Sequence, residues 1–235
     1  MTVIDVDGVW NVRDVGGMPA DGGRIRAGAL LRAGQLSRIT PAGVAVLNDR
    51  IDHIIDLRGT EEVAAEPSGP ISADTTHLPL FLGSVRSFLE TDISLENLYL
   101  HLLTHSGDRL VSAARIIAAG GGRTLVHCTL GKDRTGVTVA LVLAAAGADR
   151  DAIVADYALT ESQLPRERSR QIVAYLRARR PDAVHAVALA TQSPSPVMRS
   201  FLETVDAQWG SAAGYLEAKG LTSAELHALR EALIE

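Results

Sequence analysis

Cys128 and Arg134 stand six positions apart in the stretch Thr124-Leu125-Val126-His127-Cys128-Thr129-Leu130-Gly131-Lys132-Asp133-Arg134-Thr135-Gly136, and that spacing carries a chemistry. Leu125 and Val126 belong to a short β-type segment, Gly131 interrupts it, and the apolar run Val137 to Ala146 has the composition of a buried helix. The stretch reads strand, tight loop, helix. A loop feeding a helix N-terminus aims several backbone N–H groups at one spot, where the helix dipole also favours negative charge. Arg134 adds a planar fork able to grip two oxygens of a phosphate. The helix end and the guanidinium both favour thiolate over thiol at the base of such a cradle. A thiolate beneath a phosphoryl group is placed to attack phosphorus, giving a phosphocysteine that water then hydrolyses.

The pattern His127-Cys128-(five residues)-Arg134-Thr135-Gly136 resembles the active-site loop of the cysteine-dependent protein tyrosine phosphatase superfamily. The fuller Gly131-Lys132-Asp133-Arg134-Thr135-Gly136 resembles its bacterial dual-specificity, lipid-phosphatase-like branch, typified by mycobacterial protein tyrosine phosphatase B. Other loops fit less well. A Walker P-loop needs Gly where Val126 stands and Ser or Thr where Asp133 stands. Rhodanese-type sulfurtransferases have one residue fewer between Cys and Arg, and arsenate reductases need cysteines beyond the single Cys128.

In this reading Cys128 is the nucleophile and Arg134 binds the equatorial phosphoryl oxygens. The backbone N–H groups of Thr129, Leu130, Gly131, Lys132, Asp133 and Arg134 complete the phosphate site. Lys132 is expected to face solvent, where its charge would suit multiply charged substrates such as phosphoinositides. His127 is expected to hold the loop backbone, and the Thr135 hydroxyl to donate to the sulfur. For the leaving group's proton and the water of the second step, the resemblance implies Asp133 as acid and then base, with Asp56, Asp92 and Asp74 as alternatives.

Two further clusters are candidates for support. Asp56 and Arg58 end the apolar segment Ile51 to Gly59, and charges at the carboxyl end of a strand in an α/β sheet lie where ligands bind. Arg13 and Asp14 sit in an Asn-x-Arg-Asp-x-Gly-Gly pattern that recurs in the resembled branch. They either brace the loop from behind and line its rim, or form a salt-bridged surface hairpin.

The elements around these residues follow from local signals. Gly28 to Ala33 and Thr76 to Leu80 read as strands, the second an edge strand ending at Pro79. Thr40-Pro41 caps a helix running to Asn48. Glu61 to Pro70 reads as a polar connector, and helices are expected over Ser84–Glu90, Leu95–Leu103 and Asp108–Ala119, the last ended by Gly120-Gly121-Gly122. Beyond Ala146 the pattern is helical throughout: Asp149–Leu159, Pro165–Arg179, Asp182–Leu189, Pro196–Ala207, Ala212–Lys219 and Ser223–Ile234. The expected fold is α/β, a small, largely parallel sheet of four or five strands flanked by helices with a helix-rich C-terminal half, as in phosphotyrosine protein phosphatases. One phosphatase domain spans 1–235, with 160–208 a candidate helical lid.

Composition bounds the partners. At 235 residues and 46% apolar content the chain can bury one substantial core. A net charge of −5 recommends no nucleic acid. One cysteine excludes an internal disulfide framework and suits a reducing compartment. The acidic start of the chain does not read as a signal peptide, and no apolar run reaches the ~20 residues of a membrane span. A soluble, cytoplasmic protein is expected, with leaderless export compatible. No cofactor is implied, and no metal: of seven histidines only His101 and His105 share helical spacing, without a zincin carboxylate. His77 reads as structural. The expected substrate is a phosphorylated protein or a phosphoinositide, and the residues say nothing of oligomeric state. A catalytically silent phosphate-recognition module and a sulfurtransferase are the competing readings.

Overall fold

A computed structural model of the chain describes residues 1–80, 92–119 and 122–235. The expected helix Ser84–Glu90 and the glycines 120 and 121 lie outside these residues. The central sheet has six strands in the order β1 (Thr2–Val3), β2 (Arg13–Asp14), β5 (Leu30–Ala33), β8 (Thr124–His127), β6 (His53–Asp56), β7 (Asp74–His77). The four strands from β5 to β7 are parallel, and β1 and β2 add antiparallel at one edge. The sequence expectation of four or five strands falls short because β1 and β2 are two residues each, too short for alternation to register. A separate hairpin pairs β3 (Pro19–Ala20) with β4 (Gly23–Arg24).

The register sets the site. Ala33, His127 and Asp56 are level across β5, β8 and β6, so three strands end side by side at the carboxyl edge. All of β8 is buried, Leu125 in a core with Leu31, Ile54 and Leu47, and Val126 in the larger core on the other face. Burial on both faces is why these parallel strands read as apolar runs. The helix Asp133–Ala146 is enclosed almost all round and ends at Gly147, whose φ of 100° supplies the left-handed C-cap. Each Leu or Val so enclosed contributes about 1.5–3 kcal/mol relative to exposure.

The remaining helices follow the capping signals closely. Pro41–Asn48 is capped by Thr40, which accepts from Gly43 N–H, and Arg150–Gln163 by Asp149. The connector after Arg58 is more ordered than expected, because Thr60–Ala65 is a short helix. Within 160–208 the elements differ. Ser195–Trp209 buries Val197, Met198, Phe201, Leu202 and Val205, whereas Arg166–Arg179 buries only Leu176 and packs on the short helix Ala186–Thr191. Among the described residues no helix is long and apolar enough to cross a membrane.

Candidate active site

The loop between β8 and the helix Asp133–Ala146 is held from outside by its carbonyls. Thr129 O accepts from Gln35 N–H at 3.1 Å. Leu130 O accepts from Asn11 Nδ2 at 2.9 Å, and Gly131 O accepts from Asn11 Nδ2 at 3.1 Å and from Arg32 NH2 at 2.7 Å. Three successive carbonyls turned outward turn the N–H groups of the same peptide planes inward. Among the described residues the N–H groups of Thr129, Leu130, Gly131 and Lys132 meet no protein acceptor. Gly131 has φ +66°, and a Cβ there would lie 2.3 Å from Ala33 O, so only glycine lets the loop pass this close to β5.

Beneath the loop lies a buried charge network. Asn11, itself at φ 62°, has its amide oriented by Arg13 NH1, which donates to Asn11 Oδ1 in a short contact. Arg13 Nε donates to Asp156 Oδ1 at 2.7 Å, its NH2 reaches Asp156 O at 2.8 Å and Thr160 Oγ1 at 2.9 Å, and Arg32 NH1 donates to Asp156 Oδ2 at 2.5 Å. Burial would push the Asp156 carboxyl up, but Arg32 and Arg13 outweigh it and hold it below the usual range. Burial and the charge of Arg32 pull Arg13 down to about 10. Arg13 thus braces the loop through Asn11. Asp14 does not: it accepts from Gly16 N–H and Gly28 N–H, both at 2.8 Å, and closes turns at the β2 edge. Successive strand residues face opposite sides, so with Arg13 turned toward Asn11 and the loop the Asp14 carboxylate faces away from it.

Arg134 is held by a residue the sequence analysis did not single out. Its NH1 donates to Glu62 Oε2 at 2.6 Å and its NH2 to Glu62 Oε1 at 2.8 Å, with Thr129 Oγ1 3.2 Å from NH2. Glu62 also accepts from Gly59 N–H at 2.7 Å. Burial opposes ionisation of Glu62, but Arg134, Thr129 and Gly59 N–H outweigh it and hold the carboxyl at about 2. For Arg134, burial is outweighed by the hydrogen bonds and charge of Glu62, which raise its affinity for the proton. The available signal for Glu62 was an acid in the first turn of a helix one turn beyond a strand end. Cys128 itself is 3% exposed.

Asp133 Oδ1 accepts from Tyr99 OH at 2.9 Å and from Lys132 Nζ at 2.6 Å, and Tyr99 and Tyr157 share a hydrogen bond of 2.7 Å. Lys132 is therefore buried against its neighbour and does not face solvent as expected, because the carboxylate compensates its charge in the interior. Thr135 is buried and its hydroxyl makes no hydrogen bond to sulfur or to any other described residue, so the expected donation is not made. His127 lies fully buried, with Nδ1 3.4 Å from Cys128 O and Nε2 3.6 Å from Asp56 Oδ2. Burial lowers its pKa to about 4 despite the opposing charge of Asp56, so the ring is neutral at pH 7.

Asp56 and Arg58 lie behind the loop. Asp56 Oδ1 accepts from Arg58 N–H and Nε, both at 3.0 Å, and Asp56 Oδ2 from Arg58 NH2 at 2.7 Å; the guanidinium continues to Glu66 O and Ser68 Oγ. With its donors engaged internally, Arg58 ties the strand end to 66–68, and His77 Nε2 sits 2.8 Å from Arg58 O in a structural role. Of the alternative acids, Asp74 lies at the opposite end of the strands, level with His53 and Thr124. Asp92 is occupied by Val184, His185 and Ala186 N–H groups. His101 and His105 stack 4.2 Å apart on the surface, and no group of three candidate metal ligands occurs among the described residues.

The comparisons agree with this geometry. The profile of the tyrosine phosphatase family matches residues 4–235. The chain is 29% identical to the triple specificity protein phosphatase PtpB of Mycobacterium tuberculosis over the full length of both proteins. It is 30% identical to a tyrosine-protein phosphatase of Nostoc commune, over 88% of this chain and 74% of that one. A cysteine under a loop whose carbonyls are pinned outward, with an arginine fork beside it, is the arrangement this kinship accounts for: the chain belongs to the tyrosine phosphatase family.

Proposed function

We propose that the protein hydrolyses phosphomonoesters of phosphorylated proteins, phosphotyrosine first, through a phosphocysteine on Cys128. The observation that carries the reading is the set of inward N–H groups of Leu130, Gly131 and Lys132 above a buried thiol beside Arg134. In the first step Cys128 Sγ attacks phosphorus and the S–P bond forms as the ester P–O bond breaks. Arg134 and the loop N–H groups hold the equatorial oxygens through the transition state, with Glu62 keeping the fork in plane. Asp133 is the acid and then the base: the leaving oxygen draws its proton through the hydrogen bond the Asp133 carboxylate shares with the Lys132 ammonium, the pair then takes one back from the water that cleaves the S–P bond, and Tyr99 fixes the Asp133 rotamer. His127, neutral, orients the loop and is not the base.

The relative named for triple specificity supports a site tolerant of more than one phosphoester, phosphoinositides included. A lid would comprise 166–191 rather than all of 160–208, since Ser195–Trp209 is part of the core. The single cysteine favours action in the cytoplasm. Cys128→Ser tests the reading: turnover of p-nitrophenyl phosphate should vanish while phosphate still binds. Retained turnover would remove the nucleophile, and hydrolysis absent from wild type would leave the recognition-module reading; sulfur transfer from thiosulfate would favour a sulfurtransferase.

A further inference from the structure

A cleft of about 820 Å³ opens along the helix Arg166–Arg179 and shares no residue with the loop 128–134. Its walls carry Arg166, Arg170 and Arg177 with Leu164 and Val173, and Glu161 as its acid. The position follows from topology. The helix Asp133–Ala146 starts at the loop, and Arg150–Gln163 returns beside it after a short turn, bringing Tyr157 level with Asp133 through Tyr99. Thr160 accepts from Arg13, the residue that orients Asn11 under the loop, and Glu161 and Leu164 come next in the chain. The cleft therefore begins about one helical turn beyond the buried network and extends along the helix Arg166–Arg179.

Its three arginines outnumber its one carboxylate, Glu161. Among the described residues Arg166 and Arg177 have no hydrogen-bond or ion-pair partner, and Arg170 has only Glu167, in a pair whose side chains are 76% and 64% exposed. Such a pair is screened by water and exchanges readily for another anion. Glu161 is already engaged by Ser193 N–H. From Arg166 to Arg177 the helix rises about 16 Å at 1.5 Å per residue. That is the reach of about five residues of extended peptide, whereas an inositol phosphate headgroup would fill only one end.

Resting on the phosphatase reading above, we infer that this cleft receives the acidic side chains flanking the phosphorylated residue of an extended peptide substrate. Arg166, Arg170 and Arg177 are its specificity-determining cations, and Leu164 and Val173 take the apolar side of the same peptide.

The test compares phosphotyrosine peptides of equal length with acidic or uncharged flanks, using the full chain and the combined variant Arg166→Gln/Arg170→Gln/Arg177→Gln. Wild type should favour the acidic peptide by about tenfold in kcat/KM, expressed in KM and fading with salt. The variant should lose that preference while its turnover of p-nitrophenyl phosphate stays within about twofold and its melting temperature is unchanged. A preference retained by the variant, or absent from wild type, overturns the inference. So does a variant that loses turnover of a soluble inositol phosphate and not of the acidic peptide. Fluorescence anisotropy with the same peptides in a Cys128→Ser background separates the two claims. If wild type hydrolyses nothing, the phosphatase reading fails, yet weaker binding of the acidic peptide by the arginine variant still supports the cleft and equal binding overturns it.

Discussion

The loop 128–134 and the segment 166–191 are both rich in cations, and they are held in opposite ways. Around the loop every guanidinium is buried and opposed: Arg13 and Arg32 share Asp156, Arg134 clasps Glu62, and Lys132 lies on Asp133. In 166–191 Arg166, Arg170 and Arg177 line an open cleft, and among the described residues the segment is tied by the buried Leu176 and Ala186 and by the Asp92 carboxylate. Buried paired charge fixes one geometry because any other leaves an uncompensated ion in a low dielectric. Exposed charge fixes little and remains free for a ligand. The rigid region suits a transition state, and the loose one suits recognition.

The sharpest way to break this contrast is Asp156→Ala, which strands two buried guanidiniums. Loss of one partner from a buried ion pair costs about 3–5 kcal/mol, readable as a lower urea midpoint. A change below about 1 kcal/mol would mean the network is wetter than its burial implies.

Acid should expose the next largest difference. His127 titrates near 4 in the folded state against an ordinary 6.5. Between these values the unfolded chain binds the extra proton, so stability rises with pH through that window and is lost on acidification. The expected loss from pH 7 to 4 is up to about 3 kcal/mol. It should be absent in His127→Gln, and an equal loss in that variant would remove His127 as its source. The Glu62 carboxyl, at about 2, keeps its contribution until the pH falls from about 4.5 toward 2.

Asn11→Gly keeps the left-handed backbone and deletes both donors to the loop. We expect kcat/KM on p-nitrophenyl phosphate to fall about 10- to 100-fold, the worth of one or two lost buried hydrogen bonds. Asn11→Asp, which is isosteric but has no donor, should be no better, whereas a mere packing role for Asn11 would let it recover activity. The smallest effect belongs to Asp92→Ala, which frees the N–H groups of 184–186. Hydrogen exchange over 184–191 should accelerate while turnover of p-nitrophenyl phosphate is unchanged, and a slowed turnover would tie this segment to the chemistry itself.

How much of this was legible in the sequence depends on the range of each signal. Local signals held: the Thr40-Pro41 start and the strand, loop and helix around Cys128 all appear at or within a few residues of their expected positions. Pairings across the chain were hidden. Asp156 meets Arg13 across 143 positions, and Glu62 meets Arg134 across 72, each looking in sequence like an ordinary surface charge. Lys132 misled for the same reason, since burial of a lysine depends on a partner that spacing alone does not reveal. In the Asn-x-Arg-Asp motif, attention to charge picked out Arg13 and Asp14, while the loop is gripped by the uncharged Asn11.

The central claim is that Cys128 carries the phosphoryl group between the two steps. It is tested most directly by mixing wild type with p-nitrophenyl phosphate, whose good leaving group speeds the first step, and quenching in acid within the first turnover for peptide mass spectrometry. The account predicts one PO3 increment on the peptide containing Cys128, in step with the burst of p-nitrophenol. A burst or steady turnover with Cys128 unmodified, or with the phosphoryl group on another residue, would contradict it.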